Sequence, residues 1–176
     1  MTSDQKIQVW NAVGTWMAGV ATFLAVLVSL YLARKGDAVN IKVNVGVRLV
    51  FAGDGSDAEE HVGFDIVNLG YRPVNVVSIG WSVGKGKSKR FCMQSVAGQY
   101  THQYPKVLAH GEQALFMVSF KAAPNWPKEF AMGFIEDVGE QNFKTLRAQI
   151  NTSIGKAIEV VPEKSLLERL RVASAG

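Results

Sequence analysis

Chemistry built on sulfur pairs or metal ions finds little material in this chain. One cysteine, Cys92, cannot close an internal bridge. The 3 histidines, His61, His102 and His110, have neither the spacing nor the neighbouring Cys or carboxylate pairs of a metal site. The sequence therefore predicts no metal and no cofactor, and Cys92 reads as a packed or half-exposed strand residue. Internal repeats and low-complexity tracts are missing as well, which excludes a solenoid or a disordered arm. The absence with the largest consequence is local. From Ala12 to Ala33 there is no Asp, Glu, Lys, Arg, His or Pro, so this stretch cannot present a charged face to water.

An uncharged run of that length exceeds the ~18 apolar residues that mark a helix able to span a bilayer. Trp10 and Trp16 stand toward one end and Tyr31 near the other. Trp10 to Tyr31 measures about 31 Å of helix at ~1.5 Å per residue, close to the ~30 Å hydrocarbon core. A cleaved signal peptide is the competing reading, but it expects a shorter apolar run and a more basic leader than Lys6 alone. Lys6 on the leading flank stands against Arg34, Lys35 and Lys42 on the trailing one. That imbalance predicts that the domain behind the anchor faces the cytoplasm. Small and hydroxyl residues recur in the span at alternating spacings of three and four: Asn11, Thr15, Ala18, Thr22, Ala25 and Ser29. They form one seam, opposite a bulky face of Val13, Trp16, Met17, Val20, Leu24, Leu27 and Tyr31, and such seams let helix backbones approach closely. The seam is a candidate for self-association.

The overall balance, 48% hydrophobic and 19% charged, is that of a globular chain. Its formal charge of +4 suits an anionic partner such as lipid headgroups or nucleic acid, but so modest an excess is only a hint. With no further signal beside it, no nucleic acid is expected, and no small-molecule substrate is evident. The expected organisation is a flank and transmembrane helix over 1–35, a linker over 36–38, a β-sandwich domain over 39–161, and a short C-terminal helix and tail over 162–176. Val39, Ile41, Val43, Val45, Val47, Leu49 and Phe51 alternate with mostly polar residues, the period of a strand. A turn over 53–57 and a second strand to Asn68 complete a hairpin. Further strands are predicted over Val74–Trp81, Lys89–Ser95, Gln113–Phe120, Glu129–Asp137 and Gln141–Gln149, about seven in all, the number of an immunoglobulin-like sandwich. The stretch Val96–Gly111 reads as a cross-over connection. Pro162 fits the first turn of a helix with Leu166, Leu167 and Leu170 on one side.

Three groups of residues invite a functional reading. Gly86, Lys87 and Ser88 spell the end of a phosphate-binding loop, yet its leading glycine would have to stand at Trp81, and strand-forming residues follow instead of a helix. Lys85, Lys87, Lys89 and Arg90 read better as a basic hairpin tip for anionic lipid, where each cation is worth about 1 kcal/mol. Tyr100, His102 and Tyr104 alternate in the long connection and form an aromatic, hydrogen-bonding strip suited to a partner. Glu136, Asp137 and Glu140 around Gly139 read as a solvated hairpin and not as a catalytic acid and base.

Taken together, the segments WNAVGTWMAGVATFLAVLVSLYLARK, VNLGYRPVNVVSIGW and FIEDVGEQNFKT resemble small bacterial and prophage-borne proteins with one N-terminal span and an immunoglobulin-like domain. The resemblance is one of layout. It implies an inner-membrane setting and a phage- or defence-related role, and it carries no catalytic residues over. The sequence thus leads to a membrane-tethered, non-enzymatic interaction module. A homo-oligomeric membrane assembly is the second reading, and a nucleotide-sensing or enzymatic domain the third.

Overall fold

A computed structural model describes residues 3–36, 39–51, 57–96, 100–122, 125–135, 140–155 and 157–175. The chain divides into two compact units, Met1–Ala38 and Val39–Gly176.

The first unit is one helix, α1 (Ser3–Gly36), of 34 residues. It continues beyond the uncharged run at both ends, with Asp4 in its first turn, where an acid complements the helix dipole. Gly36, expected in the linker, belongs to its last turn. Asp37 and Ala38 lie outside the described residues. All its described side chains whose burial is assigned are exposed, including Trp16, Phe23, Leu24 and Leu30. The helix is long and apolar enough to cross a membrane. A helix in water would hide one stripe of such residues against a core.

In the second unit the strands are, in chain order, β1 (Ile41–Val50), β2 (Glu59–Asn68), β3 (Val74–Val83), β4 (Arg90–Met93), β5 (Lys106–Leu108), β6 (Gln113–Ser119), β7 (Arg147–Thr152) and β8 (Ile158–Val160). Three helices follow the same order: α2 (Trp126–Gly133), α3 (Glu140–Thr145) and α4 (Lys164–Ala175). The strands form two antiparallel sheets, one ordered β1-β2-β6 and one ordered β4-β3-β7-β8, with β5 pairing the first half of β3. The hairpin expected from the alternation in β1 is present, with Val45 opposite Phe64. Its turn over 53–56 lies outside the described residues.

The alternating apolar residues of both sheets meet in one core. Val45, Phe64, Ile66 and Phe116 from the first sheet pack with Ile79, Trp81, Ala148 and Ile150 from the second. Trp81 is at its centre. Its ring meets Phe64 edge-on at 5.0 Å and Phe130 of α2 at 5.1 Å, and its Nε1 donates to Gln94 Oε1 at 3.0 Å. That hydrogen bond satisfies the one polar atom a buried indole carries. The C-terminal helix forms as expected, with Leu166 and Leu170 buried in the same core.

Two expected strands are helices instead. Glu129–Asp137 contains most of α2, which Asn125 caps by accepting from the Lys128 N–H at 3.3 Å, with a proline at its start. The alternation of Phe130, Met132 and Phe134 mimics period two. The helix buries Phe130 and Ala131, while Met132 is exposed, so capping and tertiary contact decide the outcome. Gln141–Gln149 divides into α3, which buries Phe143, and β7, which starts only at Arg147. The acidic hairpin expected between those strands falls mostly on residues outside the described ones. Glu136, Asp137 and Gly139 lie outside the described residues, and Glu140 opens α3. Strands β5 and β8, three residues each, were missed because so short a segment has no readable period.

Both edges of the three-stranded sheet are occupied by other parts of the chain. Val45 O on β1 accepts from the Glu163 N–H at 2.7 Å, and Leu115 O on β6 accepts from the His102 N–H at 2.9 Å. Occupied edges do not recruit foreign strands. The register also defines two poles. Val39 and Asn40 enter beside the β2–β3 turn, where Asn40 O accepts from the N–H groups of Leu69 and Gly70 at 2.8 and 2.9 Å. At the other pole lie the β3–β4 turn and the start of β7, where Val83 faces Arg90 and Ser82 faces Arg147.

Candidate lipid and partner surfaces

The basic hairpin tip is built by glycine. Gly84 has φ +92°, and a Cβ there would lie 2.7 Å from Ser88 O, so this tight turn requires a residue without a side chain. The Gly84 N–H donates to Thr145 Oγ1 at 3.0 Å, tying the turn to the end of α3. Of the four cations grouped by sequence, the structure separates two from the rest. Lys85 and Lys87 are exposed, and neither makes an ion pair with a described residue. Lys89 is paired with Glu159 at 2.5 Å, and Arg90 donates to Phe134 O at 3.0 Å. The Lys89 hydrogen bond, aided by Gln149, holds the Glu159 carboxyl below its usual range. Arg147, which sequence reasoning did not single out, joins the group. It lines an open cleft of about 290 Å³ with Lys85, Lys89, Thr145 and Glu159. The site could accept a small anion or a headgroup, and its location is the pole opposite the entry of the chain.

The Tyr100, His102 and Tyr104 strip is divided in the same way. Tyr104 is half-buried, donates to Gln94 O at 2.7 Å and packs on Phe116 with ring centroids 6.0 Å apart. His102 Nδ1 accepts from the Leu115 N–H at 3.2 Å, which occupies the edge of β6. Only Tyr100 and the outer face of His102 are offered to a partner. In α1 two of the three seam hydroxyls bond within their own helix: Thr15 Oγ1 donates to Asn11 O and Thr22 Oγ1 to Ala18 O, both at 2.9 Å. The seam is therefore a surface of small side chains on which the two threonine protons are already placed.

Cys92 is half-buried on β4, and burial raises its thiol pKa, opposite to the shift that makes a reactive thiolate. Among the described residues no group of three His, Cys, Asp or Glu side chains could hold a metal ion. His61 is buried beside Glu59 O at 3.2 Å.

One surface escaped the sequence reading. Phe91 and Met93 on β4 are 62% and 71% exposed, whereas Cys92 and Gln94 between and beyond them turn inward. Within the sheet, β4 has β3 on one side and no strand on the other among the described residues. The signal was present in the alternation Phe91, Cys92, Met93, Gln94. The habit of placing the larger apolar residues inside reads it upside down.

The described residues thus define a two-part chain, a long apolar helix followed by a mostly β domain of two antiparallel sheets with a C-terminal helix. No family model matches it, and no curated protein does.

Proposed function

We propose that this is a single-pass membrane protein, with α1 as the anchor and an immunoglobulin-like sandwich acting as a non-enzymatic protein-interaction module. The strand order supports the sandwich assignment. β1-β2-β6 against β4-β3-β7-β8 corresponds to strands A-B-E against C′-C-F-G of that architecture, and Trp81 stands where such domains bury a tryptophan on strand C. The Lys/Arg imbalance across α1 supports a domain in the cytoplasm, and the bacterial inner-membrane setting is what the resemblance of layout implies. The phage- or defence-related role implied by the resemblance belongs to the same proposal.

The observation that carries the interaction reading is the β4 edge. An edge strand that pairs β3 on one side and has no strand on the other among the described residues, with Phe91 and Met93 exposed on one face, can take up an extended partner segment, main chain to main chain, with the two side chains adding apolar contact. Confinement to the bilayer raises the effective concentration of that encounter. A photoreactive residue at position 93 should therefore form a discrete heavier adduct in the membranes of the producing cell, while one at Leu49, exposed on the other sheet, should not. Equal or absent crosslinking at the two positions removes the reading.

A second reading, a homo-oligomer associated through α1, is favoured by the seam with its two internally bonded threonines. The test is light scattering in mild detergent. Full-length protein should be a defined oligomer, Ala18→Leu with Ala25→Leu should halve its mass or more, and a truncation starting at Asp37 should be monomeric. A wild-type monomer would leave the tethered module alone.

A further inference from the structure

The β2–β3 turn is held more tightly than a surface loop needs. Asn68 is fully buried, and its amide donates to the carbonyls of Arg72 and Leu108, both at 2.9 Å. Its Oδ1 accepts from the Gly70 N–H at 2.9 Å, and its backbone O from the Gly111 N–H at 2.8 Å. The turn is thus clamped between the entering chain at Asn40 and the β5–β6 turn. This rigid frame displays large apolar side chains: Leu69 is 47% and Tyr71 79% exposed, with Arg72 exposed next to them. The Tyr71 ring stacks on His110 at 4.8 Å and 23°, and His110 Nδ1 lies 3.1 Å from Gly70 O. The exposed aromatic is held in position, so burying it in a partner orders little that is not already ordered.

We propose that this pole is a lipid-contacting surface, in which Leu69 and Tyr71 enter the interfacial layer of the bilayer and Arg72 meets lipid phosphate. The inference rests on the reading of α1 as a span. The covalent chain argues for lipid as the occupant. Only Asp37 and Ala38 separate Gly36 from Val39; three Cα steps reach at most about 11 Å, and the helix from Tyr31 to Gly36 adds about 7.5 Å, so Val39 stays within about 19 Å of the hydrocarbon edge. The pole that carries Val39 and Asn40 therefore stays near the membrane surface. Its composition fits as well, because tyrosine prefers the interface, with its ring in the apolar side and its hydroxyl in water, and Arg72 with exposed Lys42 adds charge complementary to anionic lipid. The basic tip at Lys85 and Lys87 is the more charged surface, but it lies at the far end of strands that run about 30 Å at ~3.3 Å per residue. The pole, not the tip, is the contact with the protein's own membrane.

The test uses full-length protein carrying Cys92→Ser, reconstituted in vesicles of phosphatidylethanolamine and phosphatidylglycerol. An environment-sensitive fluorophore is attached to a single cysteine at Ala109, which is exposed beside the turn, at Lys87, or at Phe23. Headgroup spin-labelled lipid should quench position 109 at least about twofold more than position 87, as interfacial placement requires. Leu69→Glu with Tyr71→Glu should abolish that difference. Acyl-chain spin label should quench position 23 in every case. Equal quenching at 109 and 87, with position 23 still quenched, overturns the proposal and leaves the span standing. Loss of quenching at 23 overturns the span reading itself. If position 109 is shielded from a water-soluble quencher but not reached by labelled lipid, the surface is covered by protein and the proposal fails.

Discussion

Replacing Leu24 and Leu27 by lysine should release the protein from the membrane. Each leucine near the middle of the apolar run favours insertion by about 0.5 kcal/mol and each lysine opposes it by about 3 kcal/mol, so the pair changes the balance by about 7 kcal/mol. The remaining apolar residues of α1 cannot offset that, because each contributes only about 0.3 to 0.6 kcal/mol. Nor can a lysine at position 24 reach water easily, since it lies about 10 Å of helix from Tyr31. Alkaline carbonate extraction checks this: wild-type protein should stay in the pellet, and the double variant should move to the soluble fraction. The same experiment bears on the signal-peptide reading. An intact mass that retains α1 supports an anchor, whereas a mature chain starting beyond Ala33 would identify a cleaved leader.

Trp81→Ala should cost the domain most of its stability. The indole is fully buried among Phe64, Phe130 and Trp126, with ring centroids at 5.0, 5.1 and 6.4 Å. Truncating a buried aromatic to alanine typically costs about 3 to 5 kcal/mol through lost transfer energy and the cavity left behind. Gln94 Oε1 would also lose its donor at a site where Gln94 is buried, adding about 1 to 3 kcal/mol unless water enters. Against a total of about 5 to 15 kcal/mol for an ordinary domain, the variant should be largely unfolded or should melt at much lower denaturant. Urea titration of the full-length protein in mild detergent, followed by the β-sheet circular dichroism signal, measures it. Trp81→Phe should recover much of the loss, because it restores volume and not the hydrogen bond. A loss below about 1 kcal/mol for the alanine variant would place Trp81 outside the core.

Much of this architecture is legible in the residues themselves. The apolar helix is, because its signal is a sum over many positions and needs no partner to be read. The strands β1, β2, β3 and β6 are also legible, since each is long enough for a face to repeat. The basic tip was visible as a cluster, and the seam as a spacing. What the sequence did not reveal was which of those cations are already engaged, a matter of what stands opposite them. Lys89 meets Glu159 from β8, a strand of three residues that no periodicity announces.

The sequence by itself determined the division into an apolar helix and a β-rich domain, because hydrophobic periodicity is written along the chain and depends only on neighbours a few residues apart. Tertiary structure decided that residues 140–145 coil into a helix, that Phe91 and Met93 face outward, and that Leu69 and Tyr71 share a pole with the entering chain, and it joined the local Asn125 cap in coiling residues 126–133. Those outcomes depend on which residues meet across the fold. In α2 the gain from burying Phe130 against Trp81 outweighs a weak local preference for strand. In β4 and the β2–β3 turn, pairing register and a buried asparagine fix which side chains are left exposed.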